Sequence, residues 1–343
     1  MPRKLSAATI LTRAYQRQMK AFTRQVTRQA TRAGKRVASQ VRRAAEDHTR
    51  PPPGPGDWLP GIALGPAGAR RYHLYRPPGP RVPGERLPLL VMLHGCGQTG
   101  RDFAVATRMN RLAARHRFLV LYPEQDRLAN AQGCWNWFDT RTGRAAAEAA
   151  TVLAAIDQAC TLYGADPARV AVAGLSAGAS LAALLAAEHP SRFVAVAMAA
   201  GVGPGAAHST ATGLSAMRGR RPLHLEVTGA LPPLLVLQGS ADSVVSPACG
   251  EAVAQAWATA SQAMPGPVQA RRRGQRLPME VVEFRRRGAL QVMLVRVLGL
   301  GHAWSGGSPR GSFTDSGGPD ASAMVWSFFA QALRIAGRRT TPA

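Results

Sequence analysis

The apolar run Val170 to Ala173 passes without a break into Gly174, Leu175, Ser176, Ala177 and Gly178, and from there into the helix-patterned stretch Ala179 to Glu188. A strand spliced to a helix through G-x-S-x-G leaves room only for a tight turn that lifts the serine oxygen out of a sheet, where bulky neighbours at the glycine positions would clash. Short apolar runs alternate with helical stretches on either side, the signature of βαβ units and a mainly parallel sheet. Strands are expected at Arg71–Tyr75, Leu89–Leu93, Phe118–Tyr122, Val170–Leu175, Phe193–Ala199, Pro233–Gln238 and Gln291–Val297, with Met279–Phe284 pairing with the last as a hairpin. Helices are expected at Phe103–Arg115, Ala145–Tyr163, Ala177–Glu188, Gly250–Ser261 and Ala321–Ile335. The segment Gly201 to Gly213, continuing to Pro233, has no period and reads as a mobile flap or insertion.

Residues 1–50 read differently. Leu11, Tyr15, Met19, Phe22, Val26, Ala30, Ala33, Val37 and Val41 recur in steps of three and four, and arginines and lysines fall between them. This is a basic amphipathic helix, closed by the prolines of a 51–60 linker and followed by a catalytic domain over 61–337. The segment holds 13 basic and 2 acidic side chains, a large part of the net charge of +24. Residues 5–45 are thus expected to rest on a granule or membrane surface, or equally on the protein itself. Nucleic acid is not an expected partner, because interleaved aromatics and a known binding module are both missing. No run reaches the roughly 18 to 20 apolar residues that cross a bilayer. No secretion signal precedes the basic segment, which favours the cytoplasm.

A nucleophilic serine needs a base, a group that orients the base and donors for an oxyanion, and in this kind of sheet the order along the chain is serine, acid, histidine. The apolar strand Pro233–Gly239 ends in Ser240, Ala241 and Asp242, so Asp242 is the acid, ahead of Glu251, Asp315 and Asp320. His302 follows the last strand between Gly301 and the glycines at 306 and 307, and is the base. His94, Gly95, Cys96, Gly97 and Gln98 follow the strand at 89–93, which makes the backbone amides of Cys96 and Ala177 the oxyanion donors and His94 a loop-shaping residue. Cys134, Trp135, Asn136, Trp137 and Phe138 form an aromatic cluster without helical or strand period. Trp135 and Asn136 there, with Trp304 behind the histidine, are the candidate substrate-binding residues. A bridge between Cys96 and Cys134 would tie that cluster to the oxyanion loop, whereas Cys160 and Cys249 look unpaired. No two histidines or cysteines stand at metal-ligand spacing, and no cofactor-binding loop is present, so neither metal nor cofactor is expected.

Four motifs in order, H-G-C-G-Q-T at 94–99, C-W-N-W-F at 134–138, G-L-S-A-G at 174–178 and G-H-A-W-S-G-G at 301–307, resemble the esterase and poly(3-hydroxybutyrate) depolymerase family across about residues 60 to 336. The resemblance implies an α/β-hydrolase fold and hydrolysis of carboxylic esters or polyesters through Ser176, Asp242 and His302. Feruloyl and acetylxylan esterases are relatives of that family, so a short-chain or carbohydrate-linked ester is the alternative substrate. A surface-binding protein with a vestigial hydrolase domain is the alternative of another kind. The family is usually found outside the cell and its secreted members carry a polymer-binding domain, a role that the basic helix would take over here.

Overall fold

The computed structural model describes residues 50–80 and 82–340. The expected basic helix, with the surface contact assigned to residues 5–45, lies outside the described residues.

Eleven strands form one sheet in the order β1 (Asp57–Gly65), β2 (Gly68–Arg76), β4 (Leu119–Pro123), β3 (Leu87–Leu93), β5 (Ala165–Leu175), β6 (Ala195–Ala199), β7 (Leu234–Gly239), β11 (Ala289–Val297), β10 (Met279–Arg286) and β8 (Met264–Pro265), with β9 (Gln269–Arg271) also on β10. The six strands from β4 to β11 are mutually parallel. Successive residues of these strands enter opposite layers. Leu89, Val91 and Leu93 pack with helices α3 (Arg144–Tyr163), α4 (Ala177–Glu188) and α6 (Pro247–Ala260), while Leu90 and Met92 pack with α1 (Gly100–Thr107), α2 (Met109–His116) and α7 (Ala321–Thr340). Burial on both faces is why these strands are written as unbroken apolar runs.

Three features depart from the expected elements. The helix expected at Phe103–Arg115 is split: Arg108 takes a left-handed φ of 54°, closes α1 and donates its guanidinium to the Gly306 carbonyl at 2.6 Å. β1 occupies part of the expected linker. It is an edge strand, which is where Pro60 is tolerated, and its Ile62 and Leu64 face solvent while Ala63 between them is buried, so apolar residues fill both faces and no polar–apolar alternation marks it. The segment expected as a flap carries helix α5 (Thr210–Met217), opened by reciprocal hydrogen bonds between Ser209 and Thr212, and buries Val202, Ala206 and Ala207. Two short strands, β12 (Trp304–Ser305) and β13 (Thr314–Asp315), form a second, parallel pair. Among the described residues no helix is long and apolar enough to cross a membrane.

Candidate active site

Ser176 follows β5 directly and holds φ at 54° and ψ at −120°, a conformation of the kind that costs a non-glycine residue of order 1–3 kcal/mol. The elbow is fixed on every side. The Ser176 amide donates to the Ala199 carbonyl at the end of β6, and the Ser176 carbonyl accepts the first turn of α4 from the Ser180 amide. A Cβ on Gly178 would stand 2.2 Å from the Leu93 carbonyl oxygen, and one on Gly174 would stand 2.3 Å from the Gly178 backbone, so both flanking positions require glycine.

Asp242 and His302 leave the carboxyl ends of β7 and β11, adjacent parallel strands in the half of the sheet that begins with β5. Their loops are packed together: the Ala241 amide donates to the Leu300 carbonyl at 2.9 Å, and a Cβ on Gly239 would stand 2.3 Å from that same oxygen. His302 Nδ1 lies 2.8 Å from Asp242 Oδ2. Asp242 Oδ1 accepts from the amides of Val244 and Val245, both at 2.9 Å. Burial pushes the Asp242 carboxyl up, but the hydrogen bond from His302 and those two amides outweigh it and hold the group below the usual carboxylate range. An ionised Asp242 accepts only, so Nδ1 carries the ring hydrogen and Nε2 the lone pair. The rival acids are engaged elsewhere: Glu251 pairs with Arg296, Asp315 accepts from the Gly317 amide and Asp320 from the Ala323 amide.

The loop after β3 lies against the elbow, since a Cβ on Gly95 would be 3.6 Å from the Ser176 Cβ. The Gly95 amide donates to Gln98 Oε1 and the Gly97 amide to the Gln132 carbonyl. Among the described residues the amide of Cys96 between them, like that of Ala177 at the start of α4, has no acceptor. His94 is fully buried. Its Nδ1 donates to the Gly95 carbonyl at 2.8 Å and its Nε2 accepts from the Gln125 amide at 3.1 Å, an arrangement that fixes the neutral ring. Burial holds this imidazole below its usual range. A disulfide joins Cys96 to Cys134, while Cys160 and Cys249 are unpaired.

The side chains expected to line a cleft do not face one. Trp135 is fully buried and donates Nε1 to the His94 carbonyl at 3.0 Å, and buried Trp304 donates Nε1 to Ser322 Oγ at 3.0 Å. Asn136 is also buried, with Nδ2 on Glu148 Oε1 and Oδ1 accepting from Asn130. Indole rings whose N–H groups are satisfied inside the protein brace these loops and leave no face for substrate. Among the described residues no group of histidine, cysteine and carboxylate side chains is placed to hold a metal ion.

A doubly covered parallel sheet with a strained serine elbow after a central strand defines an α/β hydrolase. The model of the family described as esterase PHB depolymerase matches residues 70–275, and the chain belongs to that family. It is 32% identical over 177 residues to poly(3-hydroxyalkanoate) depolymerase C of Paucimonas lemoignei, which covers 47% of this chain and 42% of that protein. Over 188 residues it is 29% identical to feruloyl esterase B of Neurospora crassa, covering 49% of this chain and 63% of that one. The chain thus spans about half the length of these curated relatives. The fold is that of the acetyl xylan esterase from Aspergillus awamori, with a TM-score of 0.62 and 18% identity across 81% of this chain and 99% of that structure.

Proposed function

We propose that the protein is a serine carboxylic-ester hydrolase of the polyester-depolymerase kind. The observation that carries this reading is the hydrogen-bonded pair of buried Asp242 and half-buried His302 at the carboxyl end of the sheet, the end at which the strained Ser176 also lies. In the first half-reaction His302 Nε2 takes the Ser176 proton and Oγ attacks the ester carbonyl carbon, while the amides of Cys96 and Ala177 hold the developing oxyanion. Each such donor typically lowers the barrier by about 2.7 to 4 kcal/mol. The bond to the alcohol oxygen then breaks and His302 returns the proton to it, leaving an acyl-enzyme. Water enters, gives a proton to His302, attacks the acyl carbon and releases the acid as Ser176 recovers its hydrogen. Asp242 orients the ring and stabilises the imidazolium at each step.

Polyester is the favoured substrate because the relative at 32% identity is named for poly(3-hydroxyalkanoate), with feruloyl or acetylxylan esters as the second reading on the strength of the other relatives. Amorphous poly(3-hydroxybutyrate), a feruloyl ester and acetylated xylan, each incubated with wild type and with Ser176→Ala, test both. The variant should fold with the wild-type Tm and lose turnover by about 10⁴-fold or more. Equal activity of the two proteins on every ester would remove the serine from the mechanism, and soluble acid released from xylan but not from polyester would favour the second reading.

A further inference from the structure

Phe313 is half-exposed and holds φ at 53°, in the left-handed region that a bulky residue rarely enters. It sits between two parts of the proposed machinery. Its carbonyl accepts from the Trp304 amide at 2.8 Å, two residues beyond His302. Ser312, before it, accepts from Gln98 Nε2 through both its carbonyl and its hydroxyl at 3.1 Å, and the other end of the same Gln98 amide accepts from the Gly95 amide beside Ser176. Thr314, after it, donates its hydroxyl to the Ser308 carbonyl at 2.6 Å. A strained residue persists only where its neighbours over-determine it, and such residues gather at ligand clamps. The strained backbone at Phe313 thus links the loop of Gln98, through Ser312, to the loop that follows His302, through Trp304, and it carries an aromatic ring half-exposed to solvent.

We infer that Phe313 is a specificity-determining residue whose ring contacts the apolar alcohol portion of the ester substrate, an inference that rests on the ester-hydrolase reading above. The alcohol side follows from the chemistry. The leaving oxygen takes its proton from His302, so the group attached to it lies toward the histidine loop, and Phe313 is hydrogen-bonded to that loop through Trp304. The acyl group, fixed by its carbonyl between Cys96 and Ala177, extends elsewhere.

Two variants separate the ring from the backbone. Phe313→Gly removes the ring and adopts a positive φ without strain, while Phe313→Leu keeps an apolar contact. With kcat/KM followed by pH-stat, the ratio of benzyl butyrate to ethyl butyrate should fall about tenfold in Phe313→Gly and less than about threefold in Phe313→Leu. The ratio of ethyl hexanoate to ethyl butyrate should stay at its wild-type value in both. Phe313→Gly should melt at or above the wild-type temperature. An unchanged benzyl-to-ethyl ratio, an equal fall in the hexanoate ratio, or a lower Tm for the glycine variant would each overturn the inference while leaving ester hydrolysis in place. Failure of the wild type to hydrolyse any of the three esters would instead overturn the hydrolase reading and this one together.

Discussion

Ser176 and His94 show two ways in which a single residue serves the same few ångströms of protein. Ser176 stores strain in the turn that joins β5 to α4, whereas His94 is shaped by burial and by two hydrogen bonds that leave its ring no room for a second proton. A histidine whose folded pKa is depressed keeps its full contribution to stability above the unfolded value of about 6.5 and loses it as the pH falls below that value, because the unfolded chain then binds the proton that the folded one refuses. Chemical denaturation of wild type and His94→Gln between pH 8 and pH 5 should therefore show wild-type stability falling faster below about pH 6.5. The excess slope should approach 1.4 kcal/mol per pH unit, about the limit for one proton. Parallel curves for the two proteins would mean that the ring is not held neutral. At this scale the elbow at Ser176 and the pairing of Asp242 with His302 were legible in the sequence because each of the three residues follows an apolar strand of the sheet. Trp135, Asn136 and Trp304 are buried where a cleft lining was expected, since a loop without periodicity carries no record of which way its side chains face. Phe313 was missed because it belongs to no motif. Its one signal is an aromatic residue set among glycines and serines in the stretch Gly311 to Gly318.

The loop between β4 and α3, which the disulfide ties to Cys96, is held by a buried polar cluster. Glu148, on α3, accepts from the Asn136 amide at 2.7 Å, from Asn136 Nδ2 at 2.7 Å and from Gln125 Nε2 at 2.6 Å. Arg70, on β2, donates Nε to Gln125 Oε1 at 3.0 Å and lies 3.8 Å from Glu148. Through Asn136 and the neighbouring disulfide this cluster reaches Cys96. Arg70 and Glu148 are 6% and 3% exposed, so removal of one leaves a charge in the interior without its partner, a loss of about 3–5 kcal/mol. Glu148→Ala should destabilise the protein by that amount in urea, and Glu148→Gln, which keeps an acceptor for the amides, by less. A loss below about 1 kcal/mol for Glu148→Ala would show that the loop is held by its disulfide and not by this carboxylate. None of this was readable from the sequence, since Arg70, Gln125 and Glu148 lie on three elements whose meeting depends on the sheet order. The long parallel strands were readable, because burial on two faces leaves an apolar run. The edge strand β1 and the break at Arg108 were not, since one is half solvated and the other depends on a carbonyl 198 residues away.

At the scale of the whole molecule the distribution of charge poses the remaining question. In the first 50 residues apolar side chains recur in steps of three and four among 13 basic ones, and we propose that this segment holds the protein to a surface through two forces, apolar burial and charge attraction, that respond oppositely to salt. Attraction between exposed charges is screened within about 3 Å at 1 M ionic strength, whereas burial of an apolar stripe is left intact or strengthened. The full chain and a chain lacking residues 1–49 should therefore be sedimented with poly(3-hydroxybutyrate) granules at low salt and at 1 M sodium chloride, with turnover of a soluble ester measured alongside. On the proposed reading the full chain sediments under both conditions, the shortened chain under neither, and the two share one soluble-ester rate. Sedimentation that vanishes at 1 M salt would assign the contact to the arginines and an anionic surface. Sedimentation of the shortened chain would return polymer binding to the hydrolase unit, whose exposed Phe313 and Leu128 then become the residues to replace.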